Sequence, residues 1–428
     1  MFKKTIQAVG LLLALAIFSE IVIVGFHAYR TGELIYFRDP DAGAVPAALT
    51  LPGAVFQPYF GYTLRAGRTE DYLDEGPWKA NNFGFQTMEA VQKDGCCDYP
   101  YRPADDEFVV GVFGGSVGSG FAMQAQADGS LAKALGKVER IGERRVTVLN
   151  FSHPGFRQPQ QLTTLAYFLS IGQTFDLIVN IDGFNEIVTS WRNHADGVEF
   201  SYPADTLWGA WGRQLDQQNV PISERLFHRA NFHGLSARAA RDDQTSCWSA
   251  WCFYIAEARA VYHDWRAGAD RAALSGDYQT HTLFPTKSVS VLPEPFDVHA
   301  ETAQVWRRAS LGMARLAAAS GAEYVHILQP NQWFTEAGSY EPIKADHIYQ
   351  WVIEPVNAGY PLFRQNGADL ARQNVGFLDA TLIFNDVPDR QAYVDDCCHY
   401  TPGGYRILFD ALATYLQSRP TDGRQARP

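Results

Sequence analysis

The feature that most constrains this chain is a series of short apolar runs, rich in β-branched and aromatic residues, separated by stretches of helical pattern. EFVVGVF (107–113), RVTVLNF (145–151), DLIVNID (176–182), EYVHILQP (323–330) and VGFLDA (375–380) predict strands. Between and after them fit a helix ending near Gly136 and others around Gln160–Leu169, Ala303–Ala319, Tyr360–Gln373 and Pro402–Gln417. Strands alternating with helices predict an α/β fold with a mainly parallel sheet covered on both faces. Ligands of such sheets bind outside the carboxyl ends of the strands, so the residues after each strand are the ones to read for chemistry.

Those ends are not bland. The first strand runs into Gly114-Gly115-Ser116-Val117-Gly118, which predicts a tight turn with Ser116 at the start of a helix. The second leads through Asn150 to Gly155, and the third to Gly183-Phe184-Asn185. Before the last helix stands Asp396-Cys397-Cys398-His399. A serine needs a base to take its proton, and the base needs an orienting acid. Asp396 and His399 lie one turn of chain apart, which predicts Asp396 as orienter, His399 as base and Ser116 as nucleophile. The N–H groups of Ser116 and Gly155 and the amide of Asn185 are the expected oxyanion donors. His153 and His326 read as structural. The glycine run is no phosphate-binding loop, because Phe121 and Ala122 follow Gly120 where Lys and Ser/Thr would be needed.

At this point the residues resemble a family. Ser116, Gly155, Asn185 and His399 are similar to the four blocks of the SGNH hydrolases, the GDSL-type esterases and lipases. Asp396-x-x-His399 fits the last block and Gly183-x-Asn185 the third, over about residues 107–417. NNFGFQ (81–86) resembles a segment found upstream in membrane-anchored bacterial members. Gly115 stands where many members carry aspartate. The resemblance implies a flavodoxin-like three-layer α/β/α sandwich and hydrolysis or transfer of acyl esters, with neither metal nor organic cofactor. GGSVG also fits the Gly-x-Ser-x-Gly elbow of α/β-hydrolases, but there the serine follows several strands and the acid and base come from separate loops.

Outside this region the chain carries a compartment signal. Lys3 and Lys4 precede Thr5–Phe26, 22 residues whose single charge is Glu20. About 20 apolar residues cross a bilayer, so residues 1–30 read as a signal anchor with the remainder extracytoplasmic, periplasmic or extracellular. Glu20 is then an in-span carboxyl that snorkels or meets a partner helix. The net charge of −11 argues against nucleic acid as a partner. Residues 31–105 read as an extended arm, 106–186 and 300–418 as the catalytic domain, and 187–299 as a helical insertion. Residues 419–428 read as a tail.

That insertion holds Trp191, Trp208, Trp211, Trp248, Trp251 and Trp265. Most of these are expected to form its own small core, with Trp191 as the candidate substrate contact. The chain has six cysteines, which in an exported protein read as disulfides. Cys247–Cys252 is the expected staple of the insertion. Cys96 and Cys97 are expected to bridge Cys397 and Cys398, and zinc is disfavoured because vicinal pairs lack ordinary ligand spacing. The reading that follows is a membrane-anchored serine esterase acting on short acyl esters of an envelope or exported polysaccharide. Its alternatives are an O-acyltransferase and a non-catalytic binding or assembly subunit.

Overall fold

The expected strands form one parallel sheet of five: β1 (Glu107–Gly114), β2 (Arg145–Asn150), β3 (Leu177–Asp182), β4 (Glu323–Leu328) and β5 (Gly376–Asp379). This is a computed structural model. It describes residues 2–31, 54–71, 76–93, 96–196, 198–203, 221–245, 247, 249–278, 295–338, 340, 342 and 350–419. All eight residues of β1 and all six of β3 are buried, as uninterrupted apolar strands at the centre of a parallel sheet should be. The order is β2-β1-β3-β4-β5, with every neighbouring pair parallel. It is the order of flavodoxin-like doubly wound sheets, and its switch point lies between β1 and β3.

Helices flank the sheet in two groups. Gln160–Ser170, Phe184–Ala195, Val298–Ala319 and Ile353–Arg372 pack together, and Ser116–Asp128, Ser130–Leu135 and Pro402–Ser418 form the second group. The result is a three-layer sandwich. Its core is aromatic: Phe113 stacks on Phe151 at 5.0 Å, and Tyr99 on the other side of Phe151 at 4.3 Å. Tyr99 shows that the segment before β1 belongs to this core. Within it, short strands pair as Ala54–Gln57 with Gly61–Leu64, and Thr69–Asp71 with Pro77–Ala80 and Gln86–Met88. Its buried Tyr62, Phe85 and Tyr99 pack this segment, expected as an extended arm wrapping the domain, into the core.

The chain divides into two compact units, residues 51–209 with 286–428, and residues 1–50 with 210–285. The insertion is therefore shorter than the 187–299 read from sequence. Residues 187–203 stay with the sandwich because the helix Phe184–Ala195 continues through them. The buried Arg157 guanidinium also donates to Phe200 O (2.9 Å) and Tyr202 O (3.3 Å).

In the smaller unit the helices Pro221–Thr245 and Ala250–Tyr278 pack along one another, joined near their link by the Cys247–Cys252 disulfide. The expected span lies in the helix Phe2–Thr31. Among the described residues no helix is long and apolar enough to cross a membrane. Glu20 finds its partner within its own unit: its carboxylate accepts from the backbone N–H groups of Ala250 and, at 3.2 Å, Trp251. It thus caps the positive end of the helix Ala250–Tyr278. Trp251 and Trp265 do not form a small core as expected, being 48% and 64% exposed. Trp208, Trp211 and Trp248 lie outside the described residues.

Candidate active site

The chain leaves β1 at Gly114, turns at Gly115 and enters the helix Ser116–Asp128, so Ser116 is the first helical residue. The first N–H groups of a helix have no intrahelical acceptor and favour negative charge. Ser116 is partly exposed while its neighbours on both sides are buried, which suits a nucleophile at the floor of a cleft. Ser119 Oγ donates to Gln86 Oε1 (2.7 Å), and Asn150 Nδ2 donates to Gln86 O (2.9 Å). The NNFGFQ segment thereby braces this helix against the end of β2.

His399 Nε2 lies 2.8 Å from Ser116 Oγ. Its partner on the other side corrects the sequence reading, because Nδ1 is bonded to Asp395 Oδ2 and not to Asp396. The reason is a local turn. Asp395 Oδ1 accepts from the backbone N–H groups of Cys397 (2.9 Å), Cys398 (3.1 Å) and His399 (3.2 Å), which winds the chain so that His399 returns over Asp395. Asp396 points elsewhere, its Oδ1 accepting from Tyr340 OH at 2.7 Å and its carbonyl from Trp333 Nε1 at 2.7 Å. Tyr400 OH, donating to Pro330 O at 2.6 Å, pins the far end of the loop.

Burial disfavours the His399 imidazolium, but the Asp395 hydrogen bond and the charges of Cys397 and Asp395 outweigh it and raise the pKa to about 9. For Asp395, burial is likewise outweighed, here by the bonds from His399 and the backbone, and its carboxyl titrates below the usual range. Each group holds the other in its charged form.

The expected oxyanion donors converge from three loops. Gly155 sits at φ 80° in a tight turn closed by Phe156 N donating to His153 O (2.9 Å), a conformation that strains any residue with a Cβ. Asn185 is the second residue of its helix, and its Nδ2 donates one hydrogen to Phe156 O (2.9 Å), leaving the other for a ligand. A Cβ on Gly115 would lie 2.2 Å from this Nδ2, so glycine at 115 is what lets the amide sit beside Ser116.

One positioning residue escaped the sequence reading. Glu186 accepts from Gly183 N (2.7 Å) with one carboxylate oxygen and from Gln158 N (2.9 Å) with the other. It therefore clamps the Asn185 loop to the Gly155 loop. Burial and the neighbouring Asp182 push its carboxyl up to about 8. The signal was present in the sequence as an acid at the third position of a helix, where it reaches back to the turn.

Both histidines left as structural are buried. His326 Nε2 meets Asp182 Oδ1 (2.6 Å) and its Nδ1 meets Ser310 Oγ (2.7 Å), while His153 packs edge-on against Tyr62. Trp191 stacks on Trp351 with ring centroids 6.3 Å apart, both partly exposed. The expected bridge from Cys96 and Cys97 to Cys397 and Cys398 is absent. Cys96 is bonded to Cys97, and Cys397 and Cys398 are free thiols. Each pair is held by its own surroundings, Cys97 O by Asn81 Nδ2 (3.0 Å) and Cys397 O by Asn331 Nδ2 (3.2 Å).

No protein-family model and no curated protein matches this chain. Among solved structures it is similar to a GDSL-like lipase from Bacteroides thetaiotaomicron, 11% identical with a TM-score of 0.35 over 77% of this chain and 95% of that one. A lipase from a goat rumen metagenome gives 11% and 0.36 over 72% and 97%. An acetyl-xylooligosaccharide esterase from Geobacillus gives 10% and 0.33 over 76% and 99%.

Proposed function

We propose that this chain is a serine ester hydrolase of SGNH type, acting on short acyl esters. The observation that carries the reading is the unbroken run of hydrogen bonds Asp395–His399–Ser116, with His399 Nε2 2.8 Å from the Ser116 hydroxyl at the carboxyl edge of the sheet. His399 takes the Ser116 proton as Oγ attacks the acyl carbonyl, and Asp395 holds the imidazole and balances its charge. The tetrahedral oxyanion is stabilised by the N–H groups of Ser116 and Gly155 and the second hydrogen of Asn185 Nδ2. His399 then protonates the departing alcohol, and water repeats the sequence on the acyl-enzyme.

An exported or envelope polysaccharide is the proposed carrier of the ester. Support comes from the aromatic surface of Trp191 and Trp351, because Trp191 stands six residues, about 9 Å of helix, beyond Asn185. Anchoring of the chain in the cytoplasmic membrane with its catalytic unit outside is proposed from Lys3, Lys4 and the apolar composition of Thr5–Phe26 alone.

The test is hydrolysis of p-nitrophenyl acetate and longer acyl homologues by the full chain. Turnover is expected on the acetyl ester, falling by orders of magnitude in Ser116→Ala and His399→Ala. A folded wild-type chain without turnover on any acyl length would leave the binding-subunit reading standing.

A further inference from the structure

The Asp395 turn that delivers His399 delivers two thiols with it. Cys397 Sγ and Cys398 Sγ are 3.0 Å apart, and an imidazole nitrogen of His399 and both sulfurs all lie within 4.8 Å of one another. Neither cysteine is in a disulfide. Cys398 is buried with the Ser116 hydroxyl beside its sulfur, while Cys397 is partly exposed and so offers a way in from solvent. A small rigid turn thus gathers two soft sulfur donors and one nitrogen donor around the nucleophile.

We propose that Cys397, Cys398 and His399 form a site for a thiophilic divalent ion, Zn²⁺ or Cd²⁺, whose occupancy shuts off the esterase. Tetrahedral zinc takes sulfur at about 2.3 Å and imidazole nitrogen at about 2.0 Å, which sets ligand separations of roughly 3.3–3.8 Å. The two sulfurs at 3.0 Å lie just below that range and no ligand pair is more than 4.8 Å apart, so the set closes on an ion through side-chain movements of about 1 Å. Vicinal cysteines by themselves lack zinc-ligand spacing, and the His399 imidazole supplies the third ligand. On binding, two S–H bonds break, and the N–H bond of a protonated His399 with them; two metal–thiolate bonds and one metal–nitrogen bond form, and the released protons pass to solvent with no change of oxidation state. With His399 Nε2 as the nitrogen ligand, the lone pair that would receive the Ser116 proton is held by the metal. The binding site goes beyond the hydrolase reading, and only its inhibitory consequence rests on it.

The experiment titrates the full-length, metal-free chain with Cd²⁺ while following two signals: thiolate-to-metal charge-transfer absorption and p-nitrophenyl acetate hydrolysis. The expected result is absorption that saturates at one ion per chain, with loss of hydrolysis in parallel and recovery of both with a chelator. In Cys397→Ser, and in Cys397→Ser with Cys398→Ser, the inhibitory concentration measured against each variant's own metal-free rate should rise. That rise should exceed the roughly 10–100-fold cost of losing a mere supporting partner. Absence of the absorption overturns the proposal, as does a chain with no titratable thiols or inhibition unchanged in both variants. Absorption without any esterase turnover would keep the metal site and remove the hydrolase reading, so the two failures are distinct.

Discussion

Asp395 holds His399 through one oxygen and gathers three backbone N–H groups with the other, so its replacement disturbs both charge and turn. Because His399 must be neutral to act as base, its raised pKa places the rising limb of kcat/KM on the alkaline side, toward pH 9. Asp395→Asn should move that limb down toward the ordinary histidine value and lower activity on the order of 10³–10⁴-fold. Asp396→Asn should leave the limb in place, and a pH profile of both variants reads the difference. The same pair stabilises the fold. A histidine whose pKa rises on folding contributes fully below about pH 6.5, and the contribution is lost as pH climbs through about 9. Gly115→Ala tests the oxyanion geometry, because the added Cβ evicts Asn185 Nδ2. Loss of one such donor lowers kcat by about 10²–10³. Full activity in this variant would remove Asn185 from the site. Spacing pointed to Asp396, three residues before His399, and passed over Asp395, which lies four before it and so is also about one turn away. Only the carboxylate's bonds to its own following backbone decide between them, and those are not legible in residue types.

At the level of elements, β3 and the helix after it are fixed by a buried polar cluster. Asp182 accepts from Trp306 Nε1 (2.6 Å) and Asn180 Nδ2 (2.7 Å) and meets His326 Nε2 at 2.6 Å, with both side chains buried. Asp182→Ala strands these groups without an acceptor and should cost about 3–5 kcal/mol in chemical denaturation. Glu186→Ala should instead lower kcat with little change in KM, while Glu186→Gln retains one acceptor and recovers most of the rate. Steady-state kinetics on the pair separates positioning from general stability. The central strands β1 and β3 were legible because burial on both faces leaves an apolar run with no alternation. The start of the insertion was not. Residues 187–203 look like a new segment by composition, yet Arg157 binds them to the sandwich through bonds spanning more than forty positions of chain.

For the whole molecule, the residues proposed for catalysis come from four loops: Ser116 after β1, Gly155 after β2, Asn185 after β3 and His399 before the last helix. Residues 1–50 with 210–285 form a unit of their own, in which Glu20 caps a helix of the Cys247–Cys252 hairpin. Fractionation of cells expressing the full chain should place it with the membrane, and a chain lacking residues 1–31 should be released; recovery of the full chain in the soluble fraction would remove the anchor. The central claim is that Ser116 is a nucleophile activated by His399. Covalent titration of the full chain with a fluorophosphonate, read by peptide mass, tests it most directly. The account predicts one adduct per chain on the peptide carrying Ser116, forming faster as pH rises toward 9, and abolished in His399→Ala. An adduct on another residue, or labelling of Ser116 at the same rate without His399, would contradict it.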